Sequence, residues 1–409
     1  MNWDKSKSFV VKNRRRVVMS SCTAILLIVI SYFIDSSPYS IGGEISIPQW
    51  MERVSYIFGS RSENLPDSIL LVNVAYDKKL VDYEAPCTTD TADPRKMPAG
   101  RLDITDRKKL ADFLNAAANA DYRYIVLDIR FDDDVPTDTD ARRLFSMIDT
   151  MPRVLFACHH KTPVSPDAPL QKAAYSDYYT TMTETNLVKY PLMKHEKLSV
   201  PAKMFQELNG REFSSFMGLP TENGKLIKPS IFLTYPVNIT NWLNEDASGV
   251  TGAKFNYLNL GNDILQQPDS VNVVKNLVKG KIVVVGDFVN DLHTSYVGTV
   301  MGPLVNINAY LAMCEGRHYV KFYITVILFI IYFQISYTLY SKKNFIEKLP
   351  FIRNSRSTLL RVIVSFIGFT TFLYLTSGIL YLCFGVIYSV VFPSLYFTLL
   401  DLWIQKREN

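Results

Sequence analysis

Three stretches without a charged side chain, residues 17–34, 322–340 and 362–400, constrain this chain more than any other feature. A helix rises about 1.5 Å per residue and a bilayer's hydrocarbon core is about 30 Å thick, so each of the first two suits one crossing. As one helix the third would be about 60 Å long, so it is read as two spans, 362–376 and 379–400. The reversal is placed at Thr376, Ser377 and Gly378, with Pro393 kinking the last span.

Basic residues flank these segments on one side. Lys5, Lys7, Lys12, Arg14, Arg15 and Arg16 precede the first. Lys342, Lys343, Lys348, Arg353, Arg356 and Arg361 follow the second, against the single acid Glu347, and Lys406 and Arg407 follow the last. Cytoplasmic flanks carry this excess, so both termini are expected inside and residues 35–320 outside. A cleaved signal peptide competes for the first segment, but no small-x-small cleavage motif follows it, and an uncleaved anchor is the preferred reading. The expected order is a basic cytoplasmic terminus (1–16), a first span (17–34), an extracytoplasmic domain (35–320) and a second span (321–340). A basic loop (341–361), spans at 362–376 and 379–400, and a cytoplasmic tail (401–409) complete it.

Charge supports the division. Residues 35–320 hold 29 Lys and Arg against 35 Asp and Glu, whereas the remainder holds 15 against 4. The net charge of +5 therefore belongs to the membrane flanks, and nucleic acid is not an expected partner. Of the five cysteines, Cys22 and Cys383 fall in apolar segments. Cys158 ends an apolar run and reads as a buried thiol, leaving Cys87 with Cys314 as the one conceivable disulfide.

Within 35–320 the apolar runs are short, continuous and separated by helical patterns, as in strands covered on both faces. Strands are read at 68–75 (SILLVNVA), 124–129 (YIVLDI) and 153–157 (RVLFA), with helices at 106–120 and 138–148, in βαβαβ order. After an irregular stretch from His159 to about residue 256, order returns with a strand at 256–260, a helix at 271–278, a central strand KIVVVG at 281–286 and a helix at 306–314. The fold class is thus an α/β domain with a mixed or parallel sheet and flanking helices, plus four transmembrane helices, one N-terminal and three C-terminal.

Four blocks carry a resemblance to a known family: ILLVNVA with Tyr76 and Asp77; YIVLDIRF around Asp128; GKIVVVGD ending at Asp287; and Gly302 and Pro303 followed by Val305, Asn308 and Ala309. In this order, and with one helix before and three after, the chain resembles the type-2 CHASE extracellular sensor domains of bacterial signalling proteins across about residues 67–320. The resemblance implies a multi-pass protein of the bacterial inner membrane whose outer, periplasmic domain binds a ligand, and it is compatible with a homodimer. Two departures stand out. Asn308 occupies a position where such domains often carry histidine, and the sequence ends at Asn409 without the family's usual kinase, cyclase or phosphatase, so a separate partner is expected to supply the output.

Asp77, Asp128 and Asp287 stand at or just past the ends of strands, where α/β sheets form crevices, and Asp291 and His293 extend the set. The functional reading is a ligand pocket, without a metal; the plainer reading is that these aspartates cap helices and close turns. His159 and His160 are adjacent and so face opposite sides of a strand. Asp132, Asp133 and Asp134 lack the glycine and distal glutamate of a calcium loop, and the sequon at 238–240 is short enough to arise by chance. No catalytic or cofactor motif is found, so no enzymatic role and no cofactor are expected. The leading expectation is a sensor for a small-molecule or envelope ligand; the alternative is a non-catalytic assembly protein of an envelope complex.

Overall fold

The computed structural model describes residues 3–37, 46–47, 49–50, 68–85, 97–132, 137–160, 162–178, 186–194, 196–233, 235, 257–341, 357–384 and 386–406. Cys87, Asp133, Asp134 and the sequon at 238–240 lie outside these residues. The chain forms two compact units. One comprises Met1–Gly59, Leu226–Ser230 and Arg317–Asn409, the other Ser60–Lys225 and Ile231–Gly316.

The second unit is built on six parallel strands: β1 (Ile69–Asn73), β2 (Tyr124–Asp128), β3 (Val154–Cys158), β4 (Ala173–Tyr175), β5 (Tyr257–Asn259) and β6 (Ile282–Gly286). Their spatial order is β5-β1-β6-β2-β3-β4. The last strand in sequence thus lies between the first two, pairing Val284 with Leu71 on one side and with Val126 on the other. β1 and β6 are buried at every position, which is why they read as unbroken apolar runs rather than alternating ones.

Successive strand residues face opposite sides, and helices cover both. Leu70, Val72, Ile125, Leu127, Val283 and Val285 join one core with α2 (Arg107–Ala117), α3 (Thr139–Thr150) and α5 (Ser270–Val278). The other face meets α4 (Val200–Asn209) and α6 (Gly302–Cys314), which pack on each other. Asp106 caps α2 by accepting from the backbone N–H groups of Lys108 and Lys109, and Asp138 caps α3 through Ala141 at 2.8 Å.

The sheet, the βαβαβ order and the flanking helices agree with the expectation, with strand and helix ends shifted by a few residues. The stretch read as irregular contributes the edge strand β4, the helix α4 and an antiparallel hairpin, Phe213–Phe216 with Leu219–Glu222. A second hairpin, Leu292–Ser295 with Gly298–Met301, links β6 to α6.

The other unit contains α1 (Trp3–Ser36), α7 (Phe322–Tyr340), α8 (Thr358–Phe384) and α9 (Val391–Lys406). Among the described residues, three helical segments are long and apolar enough to cross a membrane: Asn13–Ser36, Phe322–Tyr340 and Thr358–Phe384. α1 packs along α7, where Ala24 and Leu27 are buried and two hydroxyl pairs cross the interface. Ser31 Oγ lies 3.2 Å from the Tyr332 hydroxyl, and Thr23 Oγ1 lies 3.3 Å from that of Tyr340. Such side-chain bonds hold helices together where water is excluded.

The expected reversal at Thr376–Gly378 is corrected: α8 is continuous through all three residues. Thr376 donates back to the Phe372 carbonyl at 2.8 Å, and Ser377 and Gly378 are buried. In apolar surroundings a helix satisfies its own backbone, which outweighs the local turn preference of Ser and Gly. The chain instead leaves helical structure at residues 386–390, and Pro393 stands in the first turn of α9, where its missing N–H costs no helical bond, rather than at a kink. α9 continues past Leu400, and Asp401, expected in a solvated tail, is buried and accepts from Ser365 Oγ at 3.1 Å.

Gly286 closes β6 against α6. A Cβ there would stand 2.5 Å from Pro303 Cγ and 3.3 Å from Asp128 Cβ. Replacement by valine is therefore expected to cost about 1–3 kcal/mol in overpacking, read by thermal unfolding of the solubilised chain. An unchanged melting temperature would show that strand and helix do not meet this closely.

Candidate functional site

The sheet order creates the site. β2 leads into α3 on one face, whereas β6 leads through its hairpin into α6 on the other. Connections diverging from neighbouring parallel strands leave a crevice beyond their carboxyl ends. A cleft of about 580 Å³ occupies this place, and its walls include Asp128, Asp287, Asp291 and His293. Four of the five residues picked from sequence thus come together.

The fifth, Asp77, does not line this cleft. It is buried after β1, with Oδ1 2.6 Å from Lys109 Nζ and Oδ2 accepting from the Gly261 N–H at 3.0 Å. A Cβ at Gly261 would run into this carboxylate, so the glycine makes room for it. Asp77 ties β1 to α2 and to the turn after β5. Asp287 holds an intermediate position, since it lines the cleft and also closes a turn. Its Oδ1 accepts from the backbone N–H groups of Val289 and Asn290, and its Oδ2 pairs with Lys78 at 3.0 Å. Burial pushes its pKa up, but the bonds from Asn290, Lys78 and Val289 outweigh that and hold the carboxyl below its ordinary range.

Asp128 is the most perturbed carboxyl of the cleft. Burial, reinforced by the Asp291 carboxylate, pushes its pKa up to about 7 against the pull of the Asn306 amide and of His159 and His293. Asn306 Nδ2 donates to Asp128 Oδ2 at 3.1 Å and to Ser176 Oγ at 3.0 Å, while its Oδ1 accepts from the buried Tyr190 hydroxyl at 2.6 Å. This chain of bonds fixes the wall between β2 and α6.

Across the cleft, Asp291 and His293 lie on the hairpin between β6 and α6. Asp291 Oδ1 is 3.0 Å from His293 Nε2, and the Tyr178 hydroxyl is 2.5 Å from His293 Nδ1. The imidazole thus stands between a carboxylate and a phenol. Burial, with the Asp291 and Asp128 carboxylates, pushes the Tyr178 phenol up to about 12, so it stays a donor. Gly302 is shaped for this arrangement: its N–H donates to the Asp291 carbonyl at 2.7 Å, and a Cβ there would overlap the Asp291 carboxylate.

Around the cleft stand Asp103, Asp128, Asp132, Asp287 and Asp291, with Lys78 and Arg130 as the permanent cations. Lys78 is engaged by Asp287, and Arg130 by Asp132 at 2.7 Å. Asp128 and Asp291 face uncharged or titratable partners instead, so the cleft offers acceptor oxygens and a negative bias. Among the described residues no three His, Cys, Asp or Glu side chains form a metal-holding group.

Tyr178, Tyr190, Asn306 and Lys78 were not singled out by sequence. Asn306 was visible as one of the few polar residues in a helix buried almost throughout. Asn308, noted there for the family's histidine position, is fully buried, and its amide donates one turn back to the Leu304 carbonyl at 2.8 Å. Compared with family models, curated proteins and solved structures, the chain shows no match.

The two kinds of aspartate should separate on mutation. Replacing Asp77 by alanine leaves the buried Gly261 N–H without its acceptor and is expected to cost about 1–3 kcal/mol. Asp291, whose side chain is 44% exposed, should cost under about 1 kcal/mol, both read by denaturant unfolding. Stability should also follow pH through Asp128. A carboxyl raised from 3.8 to about 7 favours the folded state fully below pH 4 and loses that contribution as pH rises through 7. Asp128→Asn should therefore match wild type below pH 4 and melt progressively higher than it up to pH 7. A pH-independent difference would contradict the assignment.

Proposed function

We propose that this chain is a membrane-anchored sensor whose α/β domain takes a small polar ligand, rich in hydroxyl or amine donors, into the carboxyl-edge cleft. The observation that carries the reading is the convergence of Asp128, Asp287, Asp291 and His293 on one cleft of about 580 Å³. Acceptor oxygens with a negative bias favour donors and positive charge in the occupant. The resemblance to type-2 CHASE domains points the same way and supplies the signalling context.

In this proposal the domain lies outside the cytoplasmic membrane of a bacterium, with both termini inside and α9 completing a fourth membrane element. The basic flanks at residues 5–16, 342–361 and 406–407 favour that orientation. The signal passes through the helices to a separate partner, which requires a ligand with unequal affinity for two helix arrangements, since equal affinity shifts nothing.

Orientation is the step on which the reading depends, and the hairpin tip at Met217, 88% exposed, offers a place to test it. In a chain whose native cysteines are replaced, Met217→Cys should react with a membrane-impermeant maleimide in intact cells. Labelling that appears only after permeabilisation would place the domain inside and overturn the sensor reading.

A further inference from the structure

A second cavity, of about 530 Å³, lies at the outer edge of the same sheet, where β3 and β4 end beside α4. Its lining differs from that of the acidic cleft. Lys197, Lys203 and His160 contribute nitrogen, Val164, Leu170 and Tyr175 contribute apolar surface, and no Asp or Glu is among the described residues that line it.

The cations are positioned by the protein. Lys203, in the first turn of α4, donates from Nζ to the carbonyls of Gln171 and of Ala173, the latter at 3.1 Å, so its ammonium is held at the cavity wall by dipoles rather than by a carboxylate. Burial, with the Lys172 ammonium, lowers its pKa against the pull of the Glu207 carboxylate. Glu207, one turn along, accepts from the Tyr124 hydroxyl at 2.7 Å and makes no hydrogen bond to Lys203. Lys197 Nζ stands 5.6 Å from the centre of the Tyr175 ring, a cation over an aromatic face that itself lines the cavity.

The rim is organised by Asp177. It takes His159 Nδ1 at 3.1 Å and the His160 backbone N–H at 2.9 Å, fixing the turn after β3. The hydrogen bond to Asp177 raises the His159 pKa against the effect of burial. His159 borders both cavities and separates the acidic one from the basic one. Cys158, also in the lining, donates to the Ala174 carbonyl at 3.4 Å, and burial pushes its thiol up to about 11, so it serves as wall rather than nucleophile.

We infer that this cavity is a second binding site, for a small organic anion that carries its carboxylate or phosphate on an apolar or aromatic body. Lys203 and Lys197 meet the anionic oxygens, and Leu170, Val164 and the Tyr175 ring cover the body. The combination of a few placed polar groups and apolar walls is how ligand sites fix both orientation and affinity. This site is distinct from the acidic cleft, and its occupancy does not depend on which side of the membrane the domain faces.

Calorimetric titration of the full chain in detergent tests it, with benzoate and phenyl phosphate as probes and benzylamine as the cation of similar shape. Saturable binding of either anion is expected, weakened about tenfold or more by Lys203→Met and measurably by Lys197→Met. Asp291→Asn, which alters only the acidic cleft, should leave anion affinity unchanged, so failure here is separable from failure of the sensor reading. Should Lys203→Met not fold, Lys197→Met and Tyr175→Leu carry the test. The inference is overturned if neither anion saturates, if the lysine variants that fold bind like wild type, or if benzylamine competes for the same site.

Discussion

The placement of β6 between β1 and β2 is the constraint on which the rest of the α/β unit depends. A strand that arrives last and enters the middle must pair on both sides, and its every residue is buried as a result. Its outgoing chain then leaves by one face while that of β2 leaves by the other, and the two cannot close over the sheet edge. The cleft is a consequence of strand order, and the side chains at strand ends and in the following turns become its lining.

Beyond the carboxyl ends of the strands, similar aspartates acquire different characters from their neighbours. Asp287 gathers backbone N–H groups and a lysine, which stabilise its charge. Burial and the nearby Asp291 carboxylate favour the proton on Asp128, against the pull of the Asn306 amide. Asp77, with a lysine and a buried N–H, serves the scaffold. Environments that drive neighbouring carboxyls apart are common where proteins bind or process polar ligands, and here they lie at the place the topology opens.

Much of this was legible in the sequence, for identifiable reasons. Continuous apolar runs such as ILLVN and IVVVG mark strands buried on both faces, and charge-free segments of about twenty residues mark membrane helices. Strand order was not legible, because nothing in 281–286 says which neighbours it will take. Asn306 stands out as a polar residue in an apolar helix, but its bond to Asp128 exists only once α6 lies over β2, and Tyr178 belongs to a stretch with no periodic pattern. The misplaced turn at Thr376–Gly378 has another cause. Turn propensity is calibrated on chains in water, where a broken helix can bond to solvent, whereas in an apolar setting the unbroken helix prevails and the chain turns further on.

The functional reading stands on Asp128 and Asp291 sharing one cleft, and carboxyl-labelled aspartate followed by NMR measures that sharing directly. One aspartate in the wild-type chain should titrate near pH 7, vanish in Asp128→Asn, and move to lower pH when Asp291 is replaced by asparagine. An Asp128 resonance that titrates near pH 4, or that ignores Asp291, would mean that the two carboxyls do not meet and that the protein does not form this cleft.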